Sequence, residues 1–125
     1  MKSAKQVVLV ADDEAVIREL LQRVLTDSGY EVIVAESGEQ AIEFARTVRL
    51  DLILLDINMP GIGGISALRE IAQQMSPSRI IMLTAVNDPK IAKVVMDLGA
   101  LDYLTKPIDI VTLKKAIQTH LLFAA

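Results

Sequence analysis

Polar and apolar residues along this chain follow two alternating periods. Short, nearly continuous apolar runs, typical of strands buried on both faces, end in polar residues. Between these runs apolar residues recur every three or four positions, as in amphipathic helices. The apolar runs predict five strands, at residues 6–11, 31–35, 52–56, 79–84 and 101–105. Strands that alternate with helices in this way predict an α/β fold, with a parallel sheet and helices on both faces.

Residues typical of helix ends separate these periods. Residues whose side chains can accept a hydrogen bond from the first helical turn stand at the predicted helix starts, one followed by Pro and one by a Gln three positions later. A Gly follows the predicted end of two helices. These signals are Ser37 with Gln40, Asp88 with Pro89, Asp109, Gly29 and Gly99. We expect Gly61, Gly63 and Gly64 to form a flexible loop before a third helix, at about residues 65–75. The chain therefore has five predicted helices.

The central predicted strand ends abruptly in an acid. Leu52–Leu55 are apolar, Asp56 follows, and Pro60-Gly61 come shortly afterwards. A carboxylate is not stable inside a buried strand without a partner, so we expect Asp56 where the strand emerges. Ligands bind at the carboxyl ends of strands in open α/β sheets. Asp56 is therefore the first functional candidate.

Other polar residues end or follow other predicted strands, and because the carboxyl ends of parallel strands lie on one edge of the sheet, these side chains can converge on Asp56. Asp12 and Asp13 follow the first strand, Thr84 ends the fourth, and Lys106 follows the fifth. Three carboxylates repel one another unless a cation compensates, and an open all-oxygen site suits Mg²⁺. Lys106 and Thr84 could then bind an arriving anion. This set of groups favours phosphoryl transfer.

Composition narrows the functional classes. A chain of 125 residues predicts one domain spanning residues 1–125. A net charge of -3 argues against nucleic-acid binding by this domain, and zero cysteines exclude thiol catalysis and Cys-ligated zinc. No apolar run is long enough for a membrane span or a signal peptide, so we expect a cytoplasmic protein.

Several motifs, in order and at family spacing, carry a resemblance to a known family. They are Asp12-Asp13, Asp56 with Met59-Pro60-Gly61, Thr84-Ala85, Gly99-Ala100 and Lys106-Pro107. Over essentially its whole length the chain resembles the receiver domain of two-component response regulators, of the single-domain chemotaxis type. The resemblance implies a flavodoxin-like receiver fold with strand order 2-1-3-4-5.

The resemblance also implies roles for the acidic residues. Asp56 would be the phosphoacceptor, taking a phosphoryl group from the phosphohistidine of a histidine kinase or a histidine phosphotransfer protein. Asp13, Asp56 and the main-chain carbonyl of Asn58 would bind Mg²⁺, and Asp12 would act through a bound water. The chain would then be a signalling switch that catalyses only its own phosphotransfer and dephosphorylation.

Further implied roles concern the response to phosphorylation. Lys106 would pair with a phosphoryl oxygen, and its peptide bond to Pro107 would be cis. Thr84 would move inward to hydrogen-bond the phosphoryl group, and Tyr103 would rotate into the vacated space. The output surface for a downstream effector would span residues 88–122.

Two departures from the commonest family pattern lead to separate expectations. Val86, two positions after Thr84, cannot orient water, so we expect a longer-lived phosphorylated state than in the chemotaxis regulator. Asn58 could still contribute to dephosphorylation. Val94 and Val111 fall at helix positions where this family often has polar residues, and this suggests a homodimer or partner contact on the output surface.

Other functions remain as alternatives. A degenerate receiver would act by phosphorylation-independent protein binding, although the acid, Thr and Lys set is complete. A Mg²⁺-dependent aspartyl-phosphate phosphatase of the haloacid dehalogenase type would need an acid where Asn58 stands, and room for a cap domain. A dinucleotide or flavin module is disfavoured because no Gly-rich loop follows the first strand. Structural interpretations also remain: Asp12-Asp13 could cap the first helix, and His120 is expected to be a surface residue without partners.

Overall fold

A computed structural model describes residues 5–76, 79–85 and 87–123 of the chain. Five strands and five helices alternate along the chain. The strands are β1 (Val7–Ala11), β2 (Glu31–Ala35), β3 (Leu52–Asp56), β4 (Ile80–Thr84) and β5 (Asp102–Thr105). The helices are α1 (Ala15–Asp27), α2 (Gly38–Thr47), α3 (Gly63–Ile71), α4 (Pro89–Asp97) and α5 (Ile110–Phe123).

The strands form one parallel sheet in the order β2-β1-β3-β4-β5, which confirms the predicted fold. Every residue of β3 and β4 is buried, because each of these strands has a strand on either side and helices over both faces. The edge strands β2 and β5 are mostly half-buried. The middle of the sheet is therefore its most completely buried part.

Two apolar clusters cover the two faces of this sheet. One packs α2, α3 and α4 on the face that includes Leu55 and Met82. The other packs α1 and α5 on the face that includes Leu54, and it contains the predicted inward residues of the last helix, Leu113, Ile117 and Leu121. Alternate residues of β3 thus contribute to opposite clusters, as the two-residue period of a strand requires.

The predicted caps explain where several helices begin. Ser37 Oγ accepts a hydrogen bond from the Gln40 backbone N–H at 3.2 Å, and Asp88 caps α4 in the same way through Lys90 N–H at 2.9 Å. Asp109 Oδ1 accepts from Val111 N–H at 3.1 Å at the start of α5. Each contact satisfies a backbone donor that the first helical turn leaves unpaired.

The third helix differs from its predicted position. It begins at Gly63 and ends at Ile71, so Gly63 and Gly64 belong to the helix and not to a flexible loop. After Ile71 the chain continues in turns, and the N–H groups of Gln73 and Gln74 bond to carbonyls three residues back. The apolar pattern continues to Met75 because this tightened segment still packs on the core.

Within the described part of the chain, no helix has the length and apolar character needed to cross a lipid bilayer.

Candidate functional site

The polar strand ends meet at the carboxyl edge of the sheet. Asp12 follows β1 and is 0% exposed, Asp56 ends β3 and is 2% exposed, and Thr84 ends β4 and is 0% exposed. Asp13 lies beside them with an exposed side chain. One carboxylate oxygen from each of the three aspartates lies within 4.8 Å of the others. The structure therefore gathers three acids at the end of the central strands.

Lys106 reaches into this acidic group from the end of β5. Its Nζ lies 2.8 Å from Asp12 Oδ2 and 3.4 Å from Asp56 Oδ2. Its backbone N–H donates to the Thr84 carbonyl at 2.7 Å, and its peptide bond to Pro107 is cis. The side chain is only 12% exposed, so the ammonium is held among the carboxylates.

Asp12 is the most fully fixed of the acids. Its backbone N–H donates to the Ala35 carbonyl at 3.1 Å, and its own carbonyl accepts from Arg18 Nη1 at 2.9 Å. Its Oδ1 accepts from Glu14 N–H at 2.9 Å while Oδ2 accepts from Lys106. Contacts on both backbone and side chain leave this carboxylate little rotational freedom.

Asp56 is held by the loop after β3 and by α3. Its Oδ1 accepts from Asn58 N–H at 3.2 Å. A Cβ atom on Gly64 would lie 2.2 Å from the Asp56 carbonyl oxygen and 2.6 Å from Ile57 Cα. Only glycine lets α3 begin this close to the end of β3. Gly64 thus supports the backbone of Asp56.

Burial and like charge make the ionised form of Asp56 costly. Burial and the neighbouring Asp12 raise the pKa of Asp56 to about 6, although Lys106 and the Asn58 N–H lower it. Burial lowers the pKa of Lys106, but its contact with Asp12 and the charge of Asp56 outweigh this and raise it overall. One ammonium thus compensates incompletely for the acids. Hard carboxylate oxygens around uncompensated negative charge suit Mg²⁺.

The residues predicted to respond to an anion lie beside the acids. Tyr103, half-buried on β5, is aligned with Met82 of β4 and packs in the same apolar cluster. Thr84 lies two residues beyond Met82, and side chains on a strand alternate faces, so Thr84 and Tyr103 share one face of the sheet. The Asn58 side chain is exposed near Asp56. The predicted roles of these residues remain predictions.

Several residues from the sequence analysis lie outside this group. Val94 on α4 is 39% exposed and Val111 on α5 is 60% exposed, and the contact surface predicted for them remains a prediction. The expectation that His120 has no partner is wrong, because its Nε2 lies 4.0 Å from Asp102 Oδ2. Val86 is outside the described residues, and the expected long phosphoryl lifetime remains a prediction.

The site also includes Glu14 and Arg18, which no sequence motif singles out. Glu14 occupies the N-cap position of α1 but makes no side-chain cap hydrogen bond, and its Oε1 lies 3.4 Å from Lys106 Nζ. Arg18 joins the Asp12 carbonyl to Glu36, with Nη2 3.2 Å from Glu36 Oε1. The only sequence signal for Glu14 is its place after two acids, and Arg18 has none beyond its position one helical turn later.

The sequence of the chain matches a known protein family and several characterised relatives. Residues 8–118 match the family described as the response regulator receiver domain. The chain is 46% identical over 101 residues to the alkaline phosphatase synthesis transcriptional regulatory protein PhoP of Bacillus subtilis, covering 80% of this chain and 42% of that protein. It is 41% identical over 101 residues to the response regulator UvrY of Escherichia coli, covering 79% and 46%. The chain thus spans about half the length of these relatives.

Solved structures agree with the sequence matches. The Vibrio cholerae chemotaxis protein CheY4 is 34% identical, with a TM-score of 0.84 and coverage of 93% of this chain and 98% of that chain. A Burkholderia pseudomallei response regulator, crystallised with a phosphorylated aspartic acid, calcium ion and citrate, is 27% identical, with a TM-score of 0.84 and coverage of 94% and 69%.

Proposed function

The chain belongs to the family of response regulator receiver domains, and from that premise we propose that it is a switch activated by phosphorylation of Asp56. Family membership implies a signalling domain of a two-component system. The observation that carries the finer proposal is the gathering of Asp12, Asp13 and Asp56 within 4.8 Å, with Lys106 Nζ 3.4 Å from Asp56. A structural acid at a strand end would need none of these partners.

The acids suit a divalent cation. We propose that Asp13, Asp56 and the main-chain carbonyl of Asn58 hold Mg²⁺, with Asp12 acting through a water. When bound, the cation would neutralise charge that builds up on the phosphoryl oxygens. The Burkholderia response regulator is described with a calcium ion as well as a phosphorylated aspartic acid, which supports divalent-cation binding by a domain of this fold.

The proposed reaction uses the Asp56 carboxylate as nucleophile. One of its oxygens attacks phosphorus, the bond between phosphorus and the donor histidine nitrogen breaks, and the nitrogen keeps the electron pair. The product is an acyl phosphate on Asp56. Asp56 must be ionised to attack, and a pKa of about 6 leaves it largely ionised at neutral pH. Lys106 Nζ lies 3.4 Å from Asp56 Oδ2, close enough for the ammonium to pair with the new phosphoryl oxygens.

We propose that phosphorylation is transmitted through the β4–β5 side of the domain. A phosphoryl group adds roughly -1.5 to -2 charges and several strong acceptors. Thr84 would donate its hydroxyl to that group and Tyr103 would turn inward on the same face. Residues 88–122 would then present the altered surface to an effector or to a second copy, with Val94 and Val111 in the contact. The phosphoryl donor would be a histidine kinase or a histidine phosphotransfer protein.

Intact-mass measurement tests this function directly. Wild type and Asp56→Asn are incubated with acetyl phosphate, with and without Mg²⁺. We expect one phosphoryl mass gain on the wild-type protein that requires Mg²⁺ and is lost in the variant. A folded wild-type protein that gains no mass would overturn the proposal and favour a degenerate receiver that binds partners without phosphorylation. A gain that persists in Asp56→Asn would place the phosphoryl group on another residue.

A further inference from the structure

The side chain of Glu14 is directed away from the helix that it begins. An acceptor at an N-cap commonly bonds the N–H groups of the first turn, but the Glu14 carboxylate makes no such bond. Its Oε1 instead lies 3.4 Å from Lys106 Nζ, across a sequence separation of 92 residues. The side chain is 61% exposed, whereas that of Asp56 is 3% exposed. Glu14 therefore lies on the solvent side of the site, where a phosphodonor must arrive.

Charge counting shows why this position matters. The three aspartates of the site would be balanced by the ammonium of Lys106 and the two charges of the proposed Mg²⁺. The Glu14 carboxylate is then the unbalanced charge of the group. It also competes with Asp56 for Lys106, since the ammonium lies at the same 3.4 Å from both carboxylates. A negative charge here opposes an incoming anion and draws away the cation that would stabilise the transferred group.

We propose that Glu14 is a specificity-determining residue that disfavours strongly anionic small phosphodonors, and that it does so by its negative charge at the mouth of the site and by competing with Asp56 for the Lys106 ammonium. The proposal rests on the proposed function of Asp56. A donor with less negative charge, such as a phosphoramidate, should be affected less than acetyl phosphate, which carries about one more negative charge near neutral pH. Glu14 would thus bias the domain towards donors whose charge is masked by a protein.

The test compares two donors on three variants at saturating Mg²⁺. Phosphorylation rates with acetyl phosphate and with phosphoramidate are measured by timed intact mass for Glu14→Gln, Glu14→Asp and Glu70→Gln. Glu70 is an exposed acid of α3 about 10 Å further along that helix than its first residue, so it matches the charge change away from the site. We expect Glu14→Gln to raise the acetyl phosphate rate about threefold to tenfold and the phosphoramidate rate by less than half that factor. Glu70→Gln should change neither rate, and Glu14→Asp should stay near wild type.

Two further measurements separate charge from packing. The gain in Glu14→Gln should shrink to less than twofold at about 1 M salt, because screening shortens the reach of the carboxylate. Calorimetric titration with Mg²⁺ alone should show weaker binding in Glu14→Gln by about twofold to fivefold, since a negative charge near the cation is lost.

Equal acceleration with both donors, no acceleration, or a salt-independent gain would overturn the role of Glu14. If the wild-type protein accepts no phosphoryl group from either donor, the function proposed for Asp56 fails instead. The two failures are therefore distinguishable.

Discussion

Strands β3 and β5 both end at the site, yet their surroundings differ. β3 pairs with β1 and β4, and all five of its residues are buried. β5 pairs with β4 at the sheet edge, and its residues are half-buried or exposed. The proposed nucleophile Asp56 therefore sits at the end of a fully buried strand, and Lys106 and Tyr103 sit on or beside the least enclosed strand, β5. Segments with fewer buried contacts move at lower free-energy cost, so the difference predicts a fixed acceptor and a movable response side.

The contacts around each strand end agree with this contrast. Behind Asp56, Gly64 brings α3 against the backbone, and any larger side chain would meet backbone atoms that cannot move aside. Tyr103 packs only partly against its apolar cluster. A phosphoryl group on Asp56 would thus meet rigid packing on one side and adaptable packing on the other.

The largest effect is expected at the contact behind Asp56. Gly64→Ala places a methyl group 2.2 Å from the Asp56 carbonyl oxygen, so α3 or the end of β3 must shift. We expect a loss of about 4 kcal/mol or more in the free energy of unfolding, measured by urea denaturation. Gly29→Ala is the matched control: it has φ +96 but no atom within 4 Å, so its loss should be about 1 kcal/mol. Equal losses at the two glycines would contradict the close-packing argument.

A matched pair of leucines compares the two strands directly. Leu54 of β3 and Leu104 of β5 belong to the same apolar cluster, but Leu54 is fully buried and Leu104 is half-buried. Leu54→Ala should lower the free energy of unfolding by about 3–4 kcal/mol, and Leu104→Ala by about 1–2 kcal/mol. Chemical denaturation of the two variants measures the difference. Similar losses would show that β5 is held as firmly as β3.

Substitution of Asp56 should have a smaller effect on the free energy of unfolding, and this effect should be a gain in stability. The pKa of Asp56 rises from 3.8 to about 6 on folding, so the folded state binds the proton more tightly than the unfolded state. The contribution of Asp56 to stability is therefore favourable at low pH and is lost as pH rises from about 4 to about 6. Without metal at pH 7, Asp56→Asn should be more stable than wild type by on the order of 2 kcal/mol.

Thermal unfolding in a metal chelator at several pH values checks this prediction. The advantage of Asp56→Asn should disappear near pH 4 and reach its full size by about pH 7. Added Mg²⁺ should raise the Tm of the wild-type protein more than that of the variant, because one proposed ligand is lost. An advantage that does not change with pH would show that the substitution acts through packing and not through the charge of Asp56.

Most of the fold could be predicted because its signals are local. The period of apolar residues identified all five strands to within one residue at their starts, and the caps at Ser37, Asp88 and Asp109 marked helix starts. The third helix was misplaced because three nearby glycines suggest a loop. Position 64 needs a glycine because the helix backbone there lies against Asp56, which is a tertiary contact. No local sequence pattern distinguishes such a glycine from one in a flexible loop.

By itself, the sequence determined the alternation of strands and helices and the acids, hydroxyl and ammonium that follow the strands. Residue spacing is enough for this, because burial of a strand or helix face imposes a period on the chain. Only the tertiary structure decided that Asp12 and Asp56 are buried while Asp13 is exposed, and that Lys106 lies among Asp12, Asp56 and Glu14. Those outcomes depend on how β1, β3 and β5 are placed side by side. The distances of 2.8 and 3.4 Å from Lys106 to Asp12 and Glu14, residues more than 90 positions away, are set by packing, which no local period records.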